Sequence, residues 1–142
     1  MPYSLNVRDA AQPADGDAAF VAAAELREIK RYLTRVPQRD SAVNETFAIT
    51  DAGAAIRHTP GDASTRTWRV PTNAAVPFEV GTTITLVVPS NSGTITLDID
   101  GTDTLQLAGS GSTGARNLSP GALVTLYKHE ATKWFVTGAG VA

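Results

Sequence analysis

Three carboxylates fall within six residues in the run DIDGTD, at Asp98, Asp100 and Asp103. Oxygen ligands so closely spaced suit a hard divalent cation. The order departs from a helix-flanked calcium loop, because the glycine comes too early and no acid follows at the twelfth position. A hairpin turn at Asp100-Gly101, with Asp98 on the solvent face between Leu97 and Ile99, accounts for the same residues, and no metal site is assigned. A polysaccharide-cleaving enzyme needs paired carboxylates in a groove, and a turn of this kind does not supply one. The run GSGSTG at 109–114 has the letters of a dinucleotide fingerprint. That fingerprint requires a following helix whose N-terminus meets the pyrophosphate, whereas ARNLSPG leads into another turn. It is read as a β connection, with no cofactor. His58 and His129 are the only histidines, and no serine sits on a strained strand-to-helix turn beside either. Both are read as surface or strand-end residues, and no catalytic residue is assigned. Among the aromatics, alternation sends Trp68 and Trp134 inward and Tyr127 and Phe135 outward. The exposed pair marks either a subunit interface, the preferred reading, or a carbohydrate-stacking site.

The elements that must position these residues fall into four segments. Residues 1–16 form an arm rich in turn formers, with Tyr3, Leu5 and Val7 as alternating apolar anchors. The arm is either a frayed terminus or an added strand that attaches to a neighbouring protein. Residues 17–36 read as one helix, begun near Asp15 or Asp17 and stopped by Pro37. Its apolar positions Ala19, Ala22, Leu26, Ile29, Leu33 and Val36 alternate by three and four, which gathers them on one seam. Written as heptads, Leu26 and Leu33 take a, and Ile29 and Val36 take d, a choice that favours trimers or tetramers over dimers. A helix docked on its own or a neighbour's surface has the same spacing, so Leu26, Ile29, Leu33 and Val36 are an oligomer or docking seam.

Residues 37–44 read as a polar linker. From 45 to 142 apolar residues recur with period two, clearest in TRTWRVPTNAAVPFEVGTTITLVV (65–88) and in the closing hairpin about Glu130-Ala131-Thr132. The expected core is Trp68, Val70, Phe78, Ile84, Leu86, Ile95, Leu97, Leu105, Leu107, Leu118, Val124, Leu126, Trp134 and Val136. The expected fold is mainly β, an antiparallel β-sandwich or small jelly-roll-like barrel preceded by the arm and one α-helix.

Composition narrows the function classes. Of 142 residues, 12 are Lys or Arg and 14 Asp or Glu, so the net charge of −2 offers no basic field for nucleic acid. There is no cysteine, which removes thiolate metal sites and cysteine nucleophiles. No run approaches the ~18 apolar residues of a membrane span, and the opening residues lack an export pattern, so a soluble protein is expected.

Two stretches carry a family resemblance. NVRDAAQPADGDAAFVAAAELREIKRYL (6–33) resembles openings of virion-associated tail and fibre-like proteins of tailed bacteriophages, in which a polar arm leads into a helix with an ELREIK-like centre. Residues 76–142, with VPFEVGTTIT, LAGSGSTGARNL and WFVTGAG, are similar to a β module of phage fibre, spike and head-decoration proteins. The resemblance implies a non-enzymatic, commonly trimeric virion component. Its partners would be other virion proteins of the capsid, tail or baseplate, and a host surface glycan in the alternative reading of a receptor-binding module.

Overall fold

The computed structural model describes residues 15–142. It divides into two units, Met1–Val36 and Pro37–Ala142. In the first, helix α1 (Asp15–Thr34) ends where Pro37 disfavours helical geometry in the residues before it. The Thr34 hydroxyl donates to the Lys30 carbonyl at 2.9 Å, a local bond that occupies one carbonyl of the last turn. Among the described residues no helix is long and apolar enough to cross a membrane.

The second unit is one curled, mixed nine-stranded sheet. Its strands are β1 (Gln38–Ser41), β2 (Glu45–Thr46), β3 (Ala55–His58), β4 (Arg66–Val70), β5 (Thr83–Val87), β6 (Ile95–Ile99), β7 (Thr104–Leu107), β8 (Arg116–Glu130) and β9 (Lys133–Val141). A three-residue 3-10 turn, Ile49–Asp51, sits between β2 and β3. Strands consecutive in the chain do not pair until β8 and β9. Instead β1, β3 and β5 run parallel in one arm, and β2, β4 and β6 run parallel in another. The chain therefore winds as a coil, each strand of one arm serving as the crossover between two parallel strands of the other. Five of the eight pairings are parallel, so the all-antiparallel arrangement expected from the sequence is replaced by a mixed one.

β8 joins the two arms. Its residues 116–118 pair antiparallel with β6 and residues 123–127 with β5. Between them, at Pro120-Gly121, the register against β9 shifts and the strand bulges. The bulge crowds β9: a Cβ on Gly138 would meet the Leu123 carbonyl, and Gly138 has φ +143°. Only glycine suits that close approach. The segment GAG, uninformative as letters, is what lets β9 follow a bent partner.

Alternation along each strand sends one residue set inward. The core contains Phe47, Ile56, Trp68, Val70, Phe78, Ile84, Leu86, Val88, Ile95, Leu97, Leu105, Leu118, Ala122, Val124, Leu126, Trp134 and Val136. All but Leu107 of the expected set are buried, Leu107 packing against the core half-exposed. Phe47, Ile56, Val88 and Ala122 join them. Phe47 and His58 meet the Trp68 ring edge-on at centroid distances of 6.3 and 6.2 Å, and Phe78 meets Trp134 likewise at 5.5 Å.

Other stretches differ from their sequence readings. The supposed linker carries β1, and residues 75–80, read as a strand, form turns that deliver Phe78 to the core without a ladder. Two prolines, Pro71 and Pro77, remove donors that a central strand there would need.

Candidate functional site

The N-terminal anchors Tyr3, Leu5 and Val7 lie outside the described residues. On α1, Leu26 is 65% exposed and Ile29 55%. Leu33 falls within the helix by sequence, but its side chain is outside the described set. Val36, expected to close the seam, lies two residues beyond the helix end and is 53% exposed. Leu26 and Ile29 are three residues apart and share one helix face.

On the β unit, the structure brings the expected exposed aromatics together. Tyr127 of β8 lies directly opposite Phe135 of β9, and the row continues to Thr83 of β5 and Gln106 of β7. Tyr127 is exposed and Phe135 half-buried. Sequence reading missed the third ring of this patch. His129 stacks on Phe135 with centroids 4.0 Å apart and planes 15° from parallel. Residues 129 and 127 lie on one face by alternation, which was the available signal. The patch offers flat apolar faces edged by hydroxyl and amide groups, a surface that suits either a protein neighbour or a sugar ring.

The acidic cluster is divided among local partners. Asp100 accepts from an Arg69 guanidinium nitrogen at 3.1 Å, and Asp98 lies 3.9 Å from another. Asp103 accepts from the Asn73 backbone N–H at 2.8 Å. Among the described residues no group of three metal-ligating side chains converges. GSGSTG forms a turn closed by the Gln106 and Thr113 bridge and runs into β8, with no helix to face a phosphate.

His58, read as a surface or strand-end residue, ends β3 and is fully buried there. Its Nδ1 faces the Gly93 carbonyl at 3.1 Å and its Nε2 the Asp62 carboxylate at 3.0 Å. Both partners are acceptors. Asp62 also accepts from Arg66 Nε at 3.0 Å and from the Ser64 N–H at 3.1 Å. The cluster ties the turn after β3 to the loop before β6, a structural task.

A second network occupies the open ends of the sheet. Arg39 of β1 makes a two-pronged pair with Asp51 at 2.8 and 3.1 Å and reaches Glu45 of β2 at 3.0 Å. β1 and β2 terminate the sheet path, so this guanidinium links its two ends without a backbone ladder. Its proton is held well above the usual arginine value, chiefly by the Asp51 hydrogen bond, with burial acting against it and Glu45 reinforcing it. Beside it lies an open polar groove of 370 Å³ lined by Asn44, Glu45, Thr46, Thr67 and Arg69. Asn44 Oδ1 accepts from the Thr67 N–H at 2.9 Å, and Arg69 is engaged by Asp100, so much of the lining's polarity is already paired.

Several carboxylates titrate below their usual range. Asp62 is held down by Arg66 first, then by His58 and the Ser64 N–H; Asp40 by Arg57; and Glu130 by Lys133. A carboxylate depressed in the folded state contributes stability that is full above its unfolded value and is lost as pH falls through the folded one. The carboxylate contribution to stability should therefore be level above about pH 5 and decline progressively below about pH 4. Acid titration of the unfolding midpoint checks this, and Asp62→Asn should make the decline shallower while lowering stability at neutral pH.

Compared with family models, with curated proteins and with solved structures, the chain matches none of them. The functional reading rests on its own residues and on the resemblance described above.

Proposed function

We propose that this chain is a non-enzymatic structural protein of a tailed-bacteriophage virion, a homotrimeric decoration, short fibre or adaptor anchored through its N-terminal arm and helix. One observation carries the reading: Leu26 and Ile29 stand exposed on one face of α1, in a unit distinct from the β body. Full burial of a leucine or isoleucine side chain is worth about 1.5–3 kcal/mol, so covering this face favours assembly. The β body has a buried core of its own and short, charge-bearing terminal strands, Glu45 on β2 and Arg39 and Asp40 on β1, which discourage open-ended strand pairing. Leucine at a and isoleucine at d support three copies. The arm, with Tyr3, Leu5 and Val7, supplies attachment to a capsid, tail or baseplate protein.

Imaging of intact particles tests this. The reading expects density for the β body in groups of three on the particle surface, and particles lacking the chain altogether would dismiss it. A second reading, a glycan-binding module for a host surface, is favoured by the patch in which His129 stacks on Phe135 and Tyr127 lies opposite it. On that reading Tyr127→Ala abolishes retention on a glycan array, whereas an array silent for the wild type sets it aside.

A further inference from the structure

Glu25 and Lys30 flank the apolar seam of α1, five residues apart. With Leu26 at a and Ile29 at d, Glu25 takes the g position and Lys30 the following e position. Both side chains are exposed, and among the described residues neither belongs to an ion pair. These are the positions that set partner choice and direction in helical coils. When identical helices run parallel and in register, a g residue lies beside the e residue five positions on in the neighbouring copy. Glu25 of each copy then meets Lys30 of the next. When the helices run antiparallel, g meets g and e meets e, so glutamate faces glutamate and lysine faces lysine. Of the other charges on the helix, Asp17, Arg27, Glu28 and Arg31 take b, c and f positions away from the seam, and Asp15, its first residue, falls on d.

We propose that α1 is self-complementary and directional: three copies of this chain associate through it in parallel and in register, with Glu25 and Lys30 paired across each interface. The inference rests on the homotrimer reading above and adds its polarity. The three helix N-termini then lie at one end of the coil and the three C-termini at the other. An exposed pair adds little affinity, and it sets direction because the opposite orientation brings like charges together. Leu26 and Ile29 supply the contact; the flanking charges choose how it is made.

The full chain tests this directly, because it has no cysteine of its own. Leu26→Cys places one thiol per copy at an a layer. In a parallel, in-register trimer the introduced thiols meet at the axis, and mild oxidation should join most chains in pairs. With one of the three helices reversed, two thiols can still pair, so a short three-armed maleimide makes the distinction: it should link all three chains in the parallel trimer and no more than two in the other. Charge variants give an independent readout should the thiol variant fail to assemble. Glu25→Lys alone and Lys30→Glu alone should each raise the dissociation constant by about tenfold or more, and the double exchange should restore it. If the wild type is a trimer, an assembled Leu26→Cys variant that yields no three-chain product, or unchanged dissociation in both single charge variants, overturns the parallel register and leaves the trimer standing. A wild type that stays monomeric overturns the trimer and this inference together.

Discussion

Lys128→Met should lower the stability of the β body by about 3 kcal/mol, although methionine keeps most of the apolar stem. Alternation from Val124 and Leu126 turns Lys128 to the core face, where it is 1% exposed. Its ammonium donates to Asn73 Oδ1 and to the Phe78 carbonyl, both at 2.6 Å, and lies 5.7 Å from the centre of the Trp134 ring. These contacts hold the strandless stretch around residues 71–80 against the closing hairpin, and Phe78 reaches the core from that stretch. Methionine would leave both acceptors unpaired, while the relief of desolvating an ammonium offsets part of the loss. Alanine adds a cavity and should cost more. Trp68 and Trp134, the only tryptophans, are both in the core, so urea unfolding followed by their fluorescence reads this unit. The midpoint should fall with little change in slope. A midpoint within a few tenths of a kcal/mol of wild type would mean that the ammonium does not hold the stretch.

The same residue gives a pH signature of opposite sign to the carboxylates. Burial lowers the Lys128 proton affinity, with the charge of Asp103 acting against it. Between that lowered value and the unfolded value near 10.4, the unfolded chain binds the proton that the folded one has released. This group's contribution to stability therefore rises with pH across the alkaline window. Lys128→Met should remove that rise.

Gly93→Ala should cost a similar amount, about 3 kcal/mol, for a different reason. The Gly93 N–H donates to the Asp62 carbonyl at 2.8 Å, and its own carbonyl faces His58 Nδ1. An added Cβ would run into the carbonyl oxygens of Ser64 and Ala63. These are backbone atoms and cannot rotate aside, so the turn after β3 and the loop before β6 must separate. That movement breaks the hydrogen bonds around a buried histidine. Gly111, with no atom near its Cβ position, is the control: Gly111→Ala should change stability by less than about 0.5 kcal/mol. Equal unfolding midpoints for the two variants would contradict the steric account.

Most of the strands were legible in the sequence and their pairing was not, for a shared reason. Period-two alternation reports that one face of a strand is buried, and Trp68 with Val70 or Ile84 with Leu86 show it plainly. It does not report direction. Short connections between successive strands suggest hairpins, yet here they carry the chain from one arm of the sheet to the other, so neighbours in sequence become partners of strands further along. Among the described residues only Glu130-Ala131-Thr132, between β8 and β9, connects a true hairpin. Lys128 and His58 were hidden because polar side chains at core-facing positions look like surface residues until their acceptors are placed. Arg39 was hidden because its partners Glu45 and Asp51 are assembled by the fold rather than by spacing. For the candidate surfaces, outward alternation identified Tyr127 and Phe135, and the stack on His129 emerged only with β9 laid against β8. The helix face was readable because its three-and-four spacing is local.

The account's central claim is that the exposed face of α1 is covered by further copies of this chain. Sedimentation equilibrium of the full-length protein, with helix content followed by circular dichroism at the same concentrations, tests it most directly. The account predicts a mass of three chains with the helix folded. A stable monomer at high micromolar concentration, with α1 still helical, would contradict it.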